Sequence, residues 1–196
     1  MMARSTPSLE PSHLTWFSIA STGSDPRLDH ILEIAFVVTD WSVDLNEETG
    51  IHLVLQQTGK QWESRLDDNP TVKQIHTRSG LLRDVHRNGV STRDAYEAIV
   101  QTLGRYGNPQ DFMLAGDDRS RQFIRATWPH LDEWFRYPVF DPGTLVRSLQ
   151  IIGRQDLASS LSSRTRKKRY RVMDEVKYKM DETRTYLRLL SHVEEM

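Results

Sequence analysis

The chain has 196 residues, a length typical of one globular domain, and its 26 Lys and Arg residues nearly balance its 27 Asp and Glu residues, for a net charge of -1. This balance excludes a strongly basic chain, so any preference for nucleic acid must come from a local patch. Cysteine is absent, which excludes disulfides, thiolate metal sites and cysteine nucleophiles.

The ends of the chain and its hydropathy bear on where the protein works. No apolar run approaches the roughly 20 residues of a membrane-spanning helix, so we expect no membrane partner. Residues 1–13 contain two prolines and no apolar segment, which predicts a flexible N-terminal tail rather than a secretion signal. We therefore expect an intracellular protein, in the cytoplasm or an organellar matrix, with one domain over 14–193.

Three apolar runs early in the chain predict consecutive strands at 14–20, 31–39 and 51–56. The runs are rich in β-branched residues, and the turn-forming Gly23 and Pro26 separate the first two of them. Because the connections are short, we expect the three strands to pair as antiparallel neighbours.

The rest of the chain alternates between helical and extended patterns. Ala95, Ile99 and Leu103 recur at helical spacing after a Ser91 cap, and Gly107 ends that helix. Further along, the pattern predicts strands at 111–116 and 137–141, short helices at 121–128 and 130–135, and longer helices at 144–152 and 173–193. A meander followed by alternating strands and helices predicts an α/β domain with a mixed sheet.

Several segments, taken in chain order, are similar to those of the oligoribonuclease family. "WFSIASTGSDP" (16–26) resembles the family's "WIDLEMTGLDP", and "DHILEIAFVVTD" (29–40) matches the strand that follows it. "HTRSGLL" (76–82), "WFRYPVFDPGTL" (134–145) and "KMDETRTY" (179–186) resemble later family segments. The resemblance implies the ribonuclease H-like fold of the DEDDh exonucleases, a mixed five-stranded sheet flanked by helices.

The resemblance also implies a site. The family hydrolyses phosphodiesters with two divalent metals held by four acids, and a histidine serves as the general base. The matching positions in this chain are Ser18, Ala20, Ser120, Glu182 and Lys177, of which only Glu182 keeps a carboxylate. We therefore expect no catalytic or metal-binding residue, no cofactor, and a non-catalytic pseudo-exonuclease that acts as an RNA-associated or assembly subunit.

Two other interpretations stay open. A shifted alignment gathers Asp117, Asp118, Asp181 and Glu182, which would give a divergent Mg²⁺- or Mn²⁺-dependent 3′-to-5′ exoribonuclease on short RNA. The last three of these acids are the candidate metal ligands. The second alternative is a protein-interaction module that binds no nucleic acid, as a homodimer or as a subunit of a hetero-complex.

A basic run near the C-terminus predicts contact with RNA or a ribonucleoprotein. The segment "RTRKKRYR" (164–171) has six cations in eight residues, within a predicted loop at 162–172. Clustered cations bind phosphate backbones with little sequence preference. The candidate contacts are Arg164, Arg166, Lys167, Lys168, Arg169 and Arg171, to which the resemblance adds Tyr137. His76, by contrast, is expected to be a hydrogen-bonding residue at a helix end.

Overall fold

The sheet is built from the strands that the sequence predicts. A computed structural model describes residues 11–43, 50–163 and 171–193, with the side chains at 160–163 and 190–193 left out. The five described strands are β1 (His13–Ser21), β2 (Ile31–Thr39), β3 (Gly50–Val54), β4 (Phe112–Ala115) and β5 (Phe135–Phe140). They form one mixed sheet in the order β3-β2-β1-β4-β5. The first three pair as an antiparallel meander, and β4 and β5 continue the sheet in parallel.

Helices cover both faces of this sheet, and the described part of the chain contains several that the sequence pattern does not predict. Their bounds are α1 (Gln61–Asp67), α2 (Pro70–Arg78), α3 (Leu81–Asn88), α4 (Thr92–Leu103), α5 (Asp118–Thr127), α6 (Pro129–Asp132), α7 (Pro142–Ile151), α8 (Gln155–Ser163) and α9 (Val172–Val193). The first three are short and mostly polar and bury one or two side chains each, so each offers few apolar positions from which a helix can be predicted. None of the described helices is both long and apolar enough to cross a membrane.

The two faces of β1 pack against different helices. Phe17 belongs to a buried cluster with Ile99 of α4 and Phe123 of α5, whereas Trp16 packs with Val176 and Met180 of α9. Because side chains alternate along a strand, the residues two and four positions after Trp16 face the same side as α9. That alternation places the two positions where the family carries its first acids beneath α9.

The Thr-Gly turn after β1 is held by a buried carboxylate. Asp29 accepts hydrogen bonds from the Thr22 hydroxyl (2.9 Å), the Asp25 amide (2.8 Å) and the Arg65 guanidinium (3.0 Å). A Cβ atom on Gly23 would lie 2.4 Å from the nearer Asp29 carboxylate oxygen. The turn therefore needs glycine for packing reasons, and its presence is explained without any catalytic role.

We expect Gly23→Ala to lower the free energy of unfolding by about 1–3 kcal/mol, because the new methyl group collides with a carboxylate that cannot move without losing its partners. Ser24→Ala, at the exposed neighbouring position, is the matched control and should change stability by less than about 0.5 kcal/mol. Urea denaturation of both variants measures the difference, and a Gly23→Ala protein as stable as the parent would contradict this account.

Candidate active site

A groove of about 360 Å³ opens between the end of β1, α2, the start of α5 and the start of α9. Ser18 and Ala20 line it from the strand, as the alternation along β1 requires. Its charged and titratable lining consists of His76, Asp117, Arg119, Arg171, Glu175 and Lys179. The groove therefore combines carboxylates, cations and an imidazole around a strand end that contributes no charged side chain.

Asp117 is the carboxylate at the start of α5, and it has two functions there. Its Oδ1 accepts hydrogen bonds from the backbone amide (2.8 Å) and the hydroxyl (3.1 Å) of Ser120, which caps the helix. Its Oδ2 lies 3.3 Å from the Lys179 ammonium. Burial by itself raises the pKa of Asp117, but Lys179 and the Ser120 hydrogen bonds outweigh it and hold the pKa below its usual value. Asp117 is therefore an ionised group paired with a cation inside the groove.

Arg171 anchors the first turn of α9 to the sheet. Its Nε donates to the fully buried carboxylate of Glu33 (2.6 Å), and its Nη1 donates to Asp84 (2.8 Å). His52 and the Val172 amide also contact the Glu33 carboxylate. Burial raises the pKa of Glu33, yet the hydrogen bonds from His52 and Arg171 more than compensate and leave the pKa lowered. The Arg171 guanidinium thus serves mainly to hold α9 in place.

His76 reaches the groove from the last turns of α2. Its Nε2 lies 2.9 Å from the Ser21 carbonyl oxygen, and a carbonyl only accepts, so Nε2 carries the hydrogen. The Nδ1 atom is buried and has no hydrogen-bond partner among the described residues. Burial lowers the pKa of His76, so the neutral ring dominates near pH 7. The expected hydrogen bond at a helix end is present, and an unused acceptor nitrogen accompanies it.

Of the five positions that match the family's site residues, two line the groove and three do not. Ser18 and Ala20 line the groove, whereas Ser120 is buried behind Asp117 as part of the helix cap. Lys177 is exposed on α9 and is not among the groove's lining residues. Glu182 accepts a hydrogen bond from the Tyr178 hydroxyl (3.0 Å), also outside that lining.

The four acids of the shifted alignment do not gather in one place. Of these, Asp117 lines the groove, while the exposed Asp118 accepts from Gln122 (2.7 Å) and the exposed Asp181 from Arg184 (2.7 Å). The groove instead contains Glu175, which sequence reasoning missed. A helical spacing of three to four residues from Val172 through Glu175 to Lys179 is the signal that could have identified it.

The predicted nucleic-acid contacts belong only partly to the described chain. Arg164, Arg166, Lys167, Lys168 and Arg169 lie outside the described residues, and they stay predictions. Arg171 lines the groove but is bound to Glu33 and Asp84. Tyr137 is exposed on β5, where the Arg121 guanidinium stacks 3.6 Å from its ring centroid and Arg125 contacts its hydroxyl.

The carboxylates of the groove bear on whether it can hold divalent metals. A two-metal site needs several carboxylates converging on one point. Within the described ranges, no group of three or more His, Asp or Glu side chains is placed to hold an ion. The Asp117 oxygen that does not cap α5 is, moreover, paired with the Lys179 ammonium. The described donors therefore do not fit the family's two-metal arrangement.

Comparisons with solved structures define the class of the fold. The E. coli exonuclease ExoI, solved in complex with single-stranded DNA and zinc, superimposes with a TM-score of 0.64 at 15% identity, over 90% of this chain and 40% of that one. Cell-death related nuclease 4 superimposes with a TM-score of 0.59 at 11% identity, over 91% of this chain and 64% of that one. The chain thus has the ribonuclease H-like exonuclease fold, which confirms the predicted fold class.

Curated relatives identify the family, although no protein-family profile matches the chain. The oligoribonuclease of Thiobacillus denitrificans is 31% identical over 140 residues, which cover 70% of this chain and 74% of the relative. The oligoribonuclease of Corynebacterium diphtheriae is 32% identical over 135 residues, which cover 67% of this chain and 62% of the relative. The chain therefore spans less than two thirds of that relative's length. The oligoribonuclease of Salmonella typhimurium is 28% identical over 181 residues, which cover 91% of this chain and 96% of the relative. This chain belongs to the oligoribonuclease family.

Family membership corrects the expectation of a non-catalytic protein. The relatives are named oligoribonucleases, which favours an active exoribonuclease over a pseudo-exonuclease. The expectation that no cofactor is needed is wrong on the same grounds, because the family points to Mg²⁺ or Mn²⁺ use. The site residues themselves stay predictions. Glu175 and His76, which are not among the five aligned positions, also line the groove.

The buried ion pair of Glu33 predicts how stability depends on pH. Because the pKa of Glu33 is lower in the folded than in the unfolded chain, the ionised carboxylate stabilises the fold above its unfolded pKa, and this contribution is lost as pH falls through the folded pKa. Glu33→Gln should lower the free energy of unfolding at pH 7 by about 3–5 kcal/mol.

The difference between parent and Glu33→Gln should shrink as pH falls below the unfolded glutamate pKa of about 4.3 and through the lower folded-state pKa, where the parent's carboxylate also becomes neutral. Glu97→Gln, which removes an exposed pair with Arg93, is the control and should change stability by at most about 0.5 kcal/mol. Denaturation curves from pH 3 to pH 7 measure this, and a gap that does not vary with pH would contradict it.

Proposed function

We propose that this protein is an exoribonuclease that shortens short RNA from its 3′ end and that its groove receives the scissile phosphate. The observation that carries the proposal is the 31% identity to a named oligoribonuclease over 74% of that relative's length. The assay contains Mg²⁺ or Mn²⁺, the ions to which the family points, although the described donors of the groove do not form the family's two-metal site.

The charges of the groove support a phosphate as the group that enters it. Lys179 and Arg119 provide positive charge, and Lys179 is only 16% exposed, so solvent screens it weakly. The small side chains of Ser18 and Ala20 leave room beside the strand end for the sugar-phosphate backbone. Asp117 holds the Lys179 ammonium at the groove, so its charge sets the position of the cation.

The remaining expectations on partners stay predictions. A homodimer through the surface around "WFRYP" would place the exposed Tyr137, stacked on Arg121, at or near the subunit interface. The intracellular location also stays a prediction.

Asp117→Asn tests the groove as the site of hydrolysis. Asparagine caps a helix about as well as aspartate does, so α5 should stay intact, but its neutral amide cannot hold the Lys179 ammonium. We expect kcat/KM on a labelled five-nucleotide RNA with Mn²⁺ to fall at least about 100-fold. Asp118→Asn, at the adjacent exposed carboxylate outside the groove, should stay within about twofold of the parent.

Chelation by EDTA tests the metal requirement: loss of activity that added Mn²⁺ restores would agree with the family, and full activity in EDTA would agree with the described donors of the groove. The location of the site would be contradicted if Asp118→Asn lost activity while Asp117→Asn kept it. Parent protein that releases no nucleotide from the RNA with either metal would overturn the proposed function itself.

The basic run should contribute salt-dependent affinity for RNA. Neutralising Arg166, Lys167, Lys168 and Arg169 together to alanine should weaken binding of a non-hydrolysable phosphorothioate RNA. The slope of log affinity against log salt should become shallower by about 0.7 for each phosphate that the variant no longer binds. Fluorescence anisotropy over a series of salt concentrations measures both quantities, and an unchanged slope would show that the run makes no contact with RNA.

A further inference from the structure

A second pocket, of about 460 Å³, lies between α1 and the turn that joins β1 to β2. Residues 27–30 of the turn line it together with Gln61, Ser64 and Arg65 of α1, and we call it the turn pocket. None of these residues lines the groove, so the two are separate volumes. A pocket of this size can hold a small organic group such as a nucleobase.

The turn pocket and the groove share a thin wall. Gly23 lines the groove, and a Cβ atom on it would lie 2.4 Å from the carboxylate of Asp29, which lines the turn pocket. Asn69 of the groove donates a hydrogen bond (2.8 Å) to the backbone carbonyl of Arg65, which also lines the turn pocket. An RNA strand that leaves the groove over this wall therefore meets the turn pocket next.

The side chains of the turn pocket are of the kinds on which nucleobases stack. Leu28 is 58% exposed, and the Arg27 side chain beside it is 86% exposed. Single exposed leucines are common on protein surfaces, but this one shares a pocket with two guanidinium groups and the half-buried His30. Bases stack on arginine and histidine planes largely without regard to sequence.

The pocket is held in shape before any ligand binds. The Thr22 amide donates to the His30 carbonyl (3.0 Å), and the His30 amide donates to the Thr22 hydroxyl (3.0 Å). The Arg65 guanidinium is oriented by Asp29 (3.0 Å), whose side chain is only 1% exposed. The one acid among the described lining residues is thus already paired. A site that is ordered in advance loses less entropy when a ligand binds.

We propose that the turn pocket binds the base of a nucleotide upstream of the scissile phosphate and thereby sets the protein's preference for RNA length; this inference rests on the proposed function. Leu28 provides apolar contact, and the guanidinium groups of Arg27 and Arg65 stack on the base. Gln61 and Ser64 offer hydrogen bonds to its edge. An RNA too short to reach the pocket is hydrolysed without this contact.

The double variant Arg27→Ala/Leu28→Ala tests the turn pocket on labelled RNAs of two to seven nucleotides. For the parent, we expect kcat/KM to rise about 5-fold or more at the length that first brings a base into the pocket. The double variant should lose this step and stay within about twofold of the parent on shorter RNAs. Both side chains are largely exposed, so the fold should be unaffected.

Arg93→Ala/Ile151→Ala is the matched control. Arg93 is 86% exposed and paired with a nearby acid, as Arg27 is, and Ile151 is 84% exposed on α7. Neither residue lines the groove or the turn pocket, so this variant should keep the parent's step.

A substrate with an abasic ribose separates a base contact from a phosphate contact. Placed at the nucleotide that produces the step, the abasic ribose keeps every phosphate and removes only the base. The parent should then lose the same factor in kcat/KM, and Arg27→Ala/Leu28→Ala should lose nothing further. An equal loss in both proteins would place the base elsewhere and overturn the proposal.

The remaining outcomes distinguish the turn pocket from the proposed function. A parent that hydrolyses RNAs of every length with the same kcat/KM, or a step that Arg27→Ala/Leu28→Ala retains, would overturn the turn pocket and leave the exoribonuclease in place. A parent that hydrolyses none of the RNAs would overturn the proposed function and the turn pocket with it.

Discussion

The ion pair between Glu33 and Arg171 joins the middle of the sheet to the start of the last helix, and the geometry of the groove depends on it. Glu33 is fully buried on β2, where it receives Arg171, His52 and the Val172 amide. A buried carboxylate needs this many donors to stay ionised. Because α9 begins at that point, the same contact sets which of its residues face β1. Glu175 and Lys179 reach the groove one and two turns later.

A second contact closes the groove on its other side. Asp117 caps α5 through Ser120 and pairs with Lys179 of α9, so one carboxylate joins a helix start to the opposite wall. The two anchors act on the same helix from different elements, Glu33 from β2 and Asp117 from the start of α5. Movement of α9 along its axis would break both, which restricts the groove to one arrangement of its charged side chains.

The sequence predicts the sheet well and the site only in part. The three runs at 14–20, 31–39 and 51–56 form the predicted meander because β-branched residues and short turns specify it locally. Alternation along β1 correctly placed Ser18 and Ala20 at the groove. The positions on α9 were not recoverable in the same way, since a distant ion pair determines which face of that helix meets the strand. Short helices such as α2, which delivers His76, depend on tertiary packing more than on periodicity.

This difference explains why transfer of single positions led to the wrong function. An alignment compares single positions, and Ser18, Ala20 and Ser120 do not keep the family's acids. The groove, however, is a volume that several elements surround, and any of them can supply a charged or basic group. α2 contributes His76, α5 contributes Asp117, and α9 contributes Glu175 and Lys179. Chemistry in such a volume depends on which atoms meet there, so losing an acid from the strand changes the composition of the site without emptying it.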